Sequence, residues 1–194
     1  MPHLYIISGC NGSGKTTASY TLLPDLLNCR EFVNSDEFAK SFSPFDPAAA
    51  SITASRYILM KINYLLERQV DFAVETTLAT RSLVKVVQQA QEAGYEVAVL
   101  YLWLSSPELA IQRVRNRVEA GGHYIPEAVV RRRYVMGLQY LFDTYIPVTD
   151  RWMLADNSKP PFQVVAEGSR DVLYIKDNEK YQLIWKIAHP DEEL

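Results

Sequence analysis

The sequence predicts an α/β fold, a doubly wound and mainly parallel sheet flanked by helices, of the P-loop NTPase type seen in nucleotide kinases. Three observations predict it. An apolar run over 4–7 breaks into glycines and ends in Lys-Thr, matching Gly-x4-Gly-Lys-Thr with Gly9, Gly14, Lys15 and Thr16 in register. Short apolar strand patterns alternate with helical ones along the chain, as right-handed βαβ units require. Two later strand patterns, over 31–36 and 72–77, end in Asp36 and Glu75, at the sheet edge where open parallel sheets bind ligands.

The first strand and its loop dictate a phosphate site. Glycines let the backbone turn tightly and approach a phosphate chain, and successive N–H groups then form an anion nest. Three of the chain's eight glycines fall within the six positions 9–14, which a chance surface turn explains poorly. The expected nucleotide contacts are Gly9, Asn11, Gly12, Ser13, Gly14, Lys15, Thr16 and Thr17. Thr16 and Thr17 open a helix whose positive end faces the same anion. Lys15 is expected on the β/γ-phosphates, with the Thr16 hydroxyl as the protein's Mg²⁺ ligand.

The following helix is predicted over 16–27, stopping near Asn28, with Pro24 limiting its regularity. Asp36, at the end of the second strand, is a candidate acid or base; the alternative is an N-cap for 37–42. A turn at 43–47 precedes a helix over 48–69, in which Ile52, Leu59, Ile62 and Leu66 keep helical spacing. The third strand delivers Glu75, Thr76 and Thr77 to the same edge as Asp36. A helix over 82–93 is closed by Gly94, and the longest apolar run, 96–104, reads as a central strand.

Pro107 marks the start of a helix reaching Glu119, and a second runs over 126–145. Between them lies a Gly121-Gly122 connector. Arg113, Arg115, Arg117, Arg131, Arg132 and Arg133 all fall in this one 21-residue window, so 107–145 reads as a small phosphotransferase lid. A solvated basic face is the alternative. One more sheet strand is expected over 151–158. Beyond Pro160-Pro161, stretches 162–167, 171–176 and 180–186 read as a short C-terminal β extension, about 162–187, the last two linked around Asp177-Asn178.

Bulk properties set the frame. A chain of 194 residues, 48% hydrophobic and 22% charged, suits one globular α/β domain over 1–194. No apolar run approaches the roughly 20 residues of a membrane span. The P-loop strand at the N-terminus leaves no room for a signal peptide, so a cytoplasmic location is expected. Cys10 and Cys29 are expected as reduced thiols. A net charge of −3 disfavours nucleic acid as a partner.

Taken together, Gly9 to Thr17, Asn34-Ser35-Asp36, Glu75-Thr76-Thr77, Arg113 with Arg117, Gly121-Gly122-His123, Arg131 to Tyr134 and Asp156-Asn157-Ser158 resemble P-loop kinases of the zeta toxin type, including its short stand-alone members. The resemblance spans roughly residues 4 to 158. It implies ATP with Mg²⁺ as cofactors, Asp36 as the base that takes the acceptor's proton, and Glu75, Thr76 and Thr77 in the acceptor pocket. Thr76 stands where the family carries a small glycine. It implies lid arginines on the transferring phosphoryl group, here Arg117 with Arg132 or Arg133. Toxin members phosphorylate UDP-N-acetylglucosamine and can pair with an antitoxin. The rival expectations are an NTPase or switch using water as acceptor, and a nucleic-acid kinase or binding protein.

Overall fold

The computed structural model describes residues 1–25, 27–35, 37–38 and 51–191. In chain order the elements are β1 (His3–Ser8), α1 (Lys15–Asp25), β2 (Glu31–Asn34), α2 (Ser51–Arg68), β3 (Phe72–Thr76), α3 (Val84–Glu92) and β4 (Glu96–Trp103). Then come α4 (Pro107–Glu119), α5 (Glu127–Tyr140), a π-helical turn (Leu141–Tyr145), β5 (Arg151–Asp156), β6 (Gln163–Ser169), β7 (Val172–Ile175) and α6 (Asn178–Ala188). The turn expected at 43–47 and the helix start expected at 48 lie outside the described residues.

The described strands form one seven-stranded sheet in the order β2-β3-β1-β4-β5-β6-β7. Its first five strands are parallel, and β6 and β7 pair antiparallel at one edge. Registers bring the functional ends level: Ser8 pairs Thr76 and Tyr101, and Asn34 pairs Glu75. The P-loop, the Glu75 end of β3 and the end of β2 therefore meet at one edge. This is the edge a doubly wound sheet reserves for ligands.

The strand alternation explains the core. Leu4, Ile6, Phe72, Val74, Val97 and Val99 point to one face and join Ile62, Leu65, Val86 and Val87 in a large cluster. Ile7 and Ala73, one residue out of phase, meet Leu23 of α1 and Cys29 on the other face. Leu4, Ile6 and Phe72 have no exposed surface, each worth about 1.5–3 kcal/mol of burial. α1 ends at Asp25, slightly before the end expected near 27, and Asn28 beyond it takes a left-handed conformation with φ +49°.

The helices expected over 107–145 are α4 and α5. Ser106 caps α4, accepting from the Leu109 amide at 3.1 Å, and Pro107 occupies the first turn. Their inner faces are core: Ala110, Ile111 and Val114 from α4, and Val130, Tyr134 and Leu138 from α5, are all buried. Their arginines are left for the rim.

The C-terminal reading needs one correction. β6 and β7 form a hairpin turning at Arg170-Asp171, not around Asp177-Asn178. The segment 180–186, expected as a strand, lies within the helix α6. Aromatic and β-branched residues suggested a strand, but Tyr181, Ile184 and Ala188 are buried at helical spacing. Asp177 also caps the helix, accepting from the Lys180 amide at 3.0 Å.

Candidate functional site

The P-loop backbone takes a shape that its glycines permit. Gly9 has φ +139° and Gly14 has φ +86°; a Cβ at Gly9 would lie 2.3 Å from the Leu102 carbonyl oxygen, and one at Gly14 2.6 Å from Asn157 Nδ2. Neither position accepts a side chain without moving β4 or the loop after β5. Lys15 is 7% exposed and folds over the loop, donating from Nζ to the carbonyls of Gly9 and Cys10 at 2.9 Å each. Burial pushes the Cys10 thiol up to about 11 despite the neighbouring Lys15 ammonium, so it sits under the loop as a neutral packing group.

Beside the loop is a carboxylate held by two strands and a helix start. Thr16 Oγ1 donates to Glu75, 3.1 Å from Oε1 and 2.9 Å from Oε2, and Asn34 Nδ2 donates to Oε2 at 2.8 Å. The β2–β3 register, with Asn34 opposite Glu75, creates the second contact. A hard hydroxyl and carboxylate pair at a P-loop fits Mg²⁺, which takes few protein oxygens and completes its shell with phosphate and water. Thr76 and Thr77 line the same cleft, and Thr76 Oγ1 accepts from the Leu78 amide at 3.0 Å.

The opposite wall comes from α4, α5 and the loop after β5. Arg113 donates to the Asn157 carbonyl at 3.0 Å and the Ser158 carbonyl at 2.7 Å. Asn157 Nδ2 donates to the Ser13 carbonyl at 2.7 Å, so this fork supports the P-loop through one residue. Arg133 donates to Asn11 Oδ1 at 3.0 Å, and Arg117 to the His123 carbonyl at 3.0 Å. Asp156 stiffens the loop: burial raises its pKa, but the Ser158 hydroxyl and amide and the Lys180 ammonium outweigh that and hold it below the usual carboxylate range.

These walls enclose a cleft of about 940 Å³ that brings together Asn11, Gly12, Gly14, Lys15, Thr16 and Thr17 with Glu75, Thr76 and Thr77, and with Arg113, Arg117 and Arg133. Arg132 is exposed and does not line it. Arg115 and Arg131 form exposed ion pairs with Glu127 and Glu108 that tie α4 to α5. Gly9 and Ser13 are buried in the loop behind the lining. Asp36 lies outside the described residues. Sequence reasoning placed Arg113 in the arginine cluster without its bracing role, and it did not single out the Glu75–Thr16 contact. The Arg113 fork grips backbone carbonyls, which leave no pattern in residue types, while the Glu75 contact follows from a strand register that only the assembled sheet reveals.

Among the described residues no helix is long and apolar enough to cross a membrane. An uncharacterized protein of Haemophilus influenzae is 31% identical over 126 residues, 65% of this chain and 88% of that protein. A chain of the AvrRxo1-ORF1:AvrRxo1-ORF2 complex with sulphate ions is similar at TM-score 0.75 and 20% identity, over 100% of this chain and 66% of that one. This chain thus spans just under two thirds of that relative. A chain of the PezAT toxin–antitoxin system of Streptococcus pneumoniae is similar at TM-score 0.67 and 15% identity, over 100% of this chain and 80% of that one. These structural likenesses show a shared fold. The family model for zeta toxin matches residues 1–145, which carry every wall of the cleft except the loop after β5, so this chain belongs to the zeta toxin family.

Proposed function

We propose that the protein transfers the γ-phosphoryl group of ATP to a hydroxyl of a small molecule. The observation that carries this reading is the meeting, in one cleft, of the P-loop, the Glu75 end of β3 and three arginines from the far wall. The P-loop amides and Lys15 hold the donor. The Thr16 hydroxyl would hold Mg²⁺, which when bound would supply positive charge to neutralise the donor's phosphates. Glu75 orients that hydroxyl and, with Thr76 and Thr77, borders the acceptor. Arg117 and Arg133 stabilise the equatorial oxygens, with Arg113 bracing the wall behind them; Arg132, outside the lining, is the weaker partner for this role.

In the reaction the acceptor oxygen bonds to the γ-phosphorus while the bond to the β–γ bridging oxygen breaks. ADP leaves, and the acceptor's proton passes to Asp36. Little covalent chemistry falls to the protein, so positioning and charge stabilisation supply the rate. Family membership brings UDP-N-acetylglucosamine as one candidate acceptor, an antitoxin as a candidate partner and the cytoplasm as the setting.

Variants separate the roles. Lys15→Ala is expected to abolish nucleotide binding. Asp36→Asn is expected to bind ATP normally and lose transfer, and removal of Arg117 or Arg133 to cost about 10³-fold in turnover. Near-wild-type transfer by Asp36→Asn would overturn the base assignment.

A further inference from the structure

Residues 156–158, at the end of β5, join three parts of the molecule. The Asn157 amide donates to the Trp103 carbonyl at 2.8 Å, and the Ser158 hydroxyl accepts from the Ser105 amide at 2.8 Å, which ties them to the end of β4. The Asn157 and Ser158 carbonyls take the Arg113 fork, and Asn157 Nδ2 reaches the Ser13 carbonyl of the P-loop. Asp156 sets the turn that makes this possible: its Oδ1 accepts from the Ser158 amide at 2.9 Å and from the Ser158 hydroxyl at 2.5 Å.

The other carboxylate oxygen, Oδ2, meets Lys180 Nζ at 3.1 Å. Lys180 belongs to α6, beyond the residues 1–145 that the family model matches. Its ammonium carries three donors and lies near acceptors on three elements: Asp156 at the end of β5, Gln163 Oε1 at the start of β6 at 3.4 Å, and the helix-capping Asp177 Oδ2 at 3.5 Å. The hydrogen bond to Asp156 raises the Lys180 pKa, so this side chain stays charged at neutral pH.

We infer that Lys180 is a positioning residue for the donor nucleotide: by occupying Asp156 Oδ2 it keeps Oδ1 on Ser158, and through that turn it keeps Asn157 on the P-loop. The inference rests on the reading of the P-loop as the ATP site. The Asp156 side chain is 12% exposed, so deleting the ammonium leaves a carboxylate short of both water and countercharge. That carboxylate gains by turning to solvent, which releases Ser158 and loosens the Asn157 grip on Ser13. Lys180 does not line the cleft, so its effect falls on nucleotide affinity through the loop.

The test titrates Lys180→Met, Lys180→Arg and Ile184→Val with a fluorescent ATP analogue and Mg²⁺, alongside thermal denaturation. Lys180 is 32% exposed and Met keeps most of its stem, so Lys180→Met is expected to fold. Its Kd should rise about fivefold or more, while Lys180→Arg, which still supplies a cation to Oδ2, should stay within about twofold of wild type. Ile184→Val trims the buried face of α6 without touching Asp156, and should lower Tm with Kd unchanged. Were Lys180→Met to unfold, Lys180→Gln provides the same comparison. A Kd within about twofold of wild type on loss of the ammonium, or an equal rise in Ile184→Val, overturns the inference and leaves the nucleotide site standing. Wild-type protein that binds no ATP overturns that site, and this inference with it.

Discussion

Removing the Arg113 side chain tests whether the loop after β5 holds the P-loop in shape. Arg113→Ala deletes two charge-assisted bonds, at 3.0 Å to the Asn157 carbonyl and 2.7 Å to the Ser158 carbonyl. Fully buried bonds of this kind contribute about 1.5–3 kcal/mol each. The site is half-buried, so about 2–3 kcal/mol in total is the reasonable expectation. For a chain of 194 residues this lowers Tm by about 5–10 °C, measured by thermal denaturation. Because Asn157 Nδ2 holds the Ser13 carbonyl at 2.7 Å, the KM for ATP should also rise several-fold. The two side chains act on one loop, so a double-mutant cycle with Asn157→Ala should show coupling of about 0.5–1 kcal/mol or more. A Tm within about 1 °C of wild type, or strict additivity of the two substitutions, would refute the bracing role.

Three more expectations follow from particular contacts. Glu75→Gln replaces the carboxylate that accepts from the Thr16 hydroxyl; a Mg²⁺ titration of activity should show a 10–100-fold loss in metal affinity or turnover, about the effect of losing an outer-shell partner. Tyr134→Phe removes a buried hydroxyl that donates to the Leu104 carbonyl at 2.7 Å and should cost about 1–1.5 kcal/mol, read as a Tm lower by about 2–5 °C, with KM for ATP unchanged. Cys10 has a folded pKa of about 11 against an ordinary value of 9.0, so the native state holds its proton where the unfolded state loses it. Stability should therefore be unaffected by this group below pH 9 and fall between about pH 9 and 11. At pH 8 alkylating reagents should label Cys10 only on unfolding; rapid native-state labelling would contradict the burial.

Legibility followed physical range. Local signals were readable: three glycines with a Lys-Thr announce the P-loop, Gly94 closes α3, and Pro107 begins α4. The edge shared by β1, β2 and β3 was readable as well, since a parallel sheet aligns strand ends by rule. What escaped the sequence depended on distant partners. The β2–β3 register sets Asn34 on the Glu75 carboxylate, the start of α1 brings Thr16 to it, and separations of 41 and 59 residues leave no local trace. In α6, strand-prone residues hid a helical burial pattern that only the packing of Tyr181 and Ile184 reveals. Of the arginine cluster, sequence gave membership but not direction, because a helix turns successive residues to different faces: Arg133 faces the P-loop while Arg131 pairs with Glu108 and Arg132 stays exposed.

The most direct measurement is a crystal structure with a non-hydrolysable ATP analogue and Mg²⁺. The account predicts the γ-phosphate within about 3 Å of donors from Lys15, Arg117 and Arg133, with the metal on the Thr16 hydroxyl and Glu75 behind it. A triphosphate bound in the P-loop with both arginines still turned to the His123 carbonyl and Asn11, and no acceptor-sized space left beside Glu75, would contradict it.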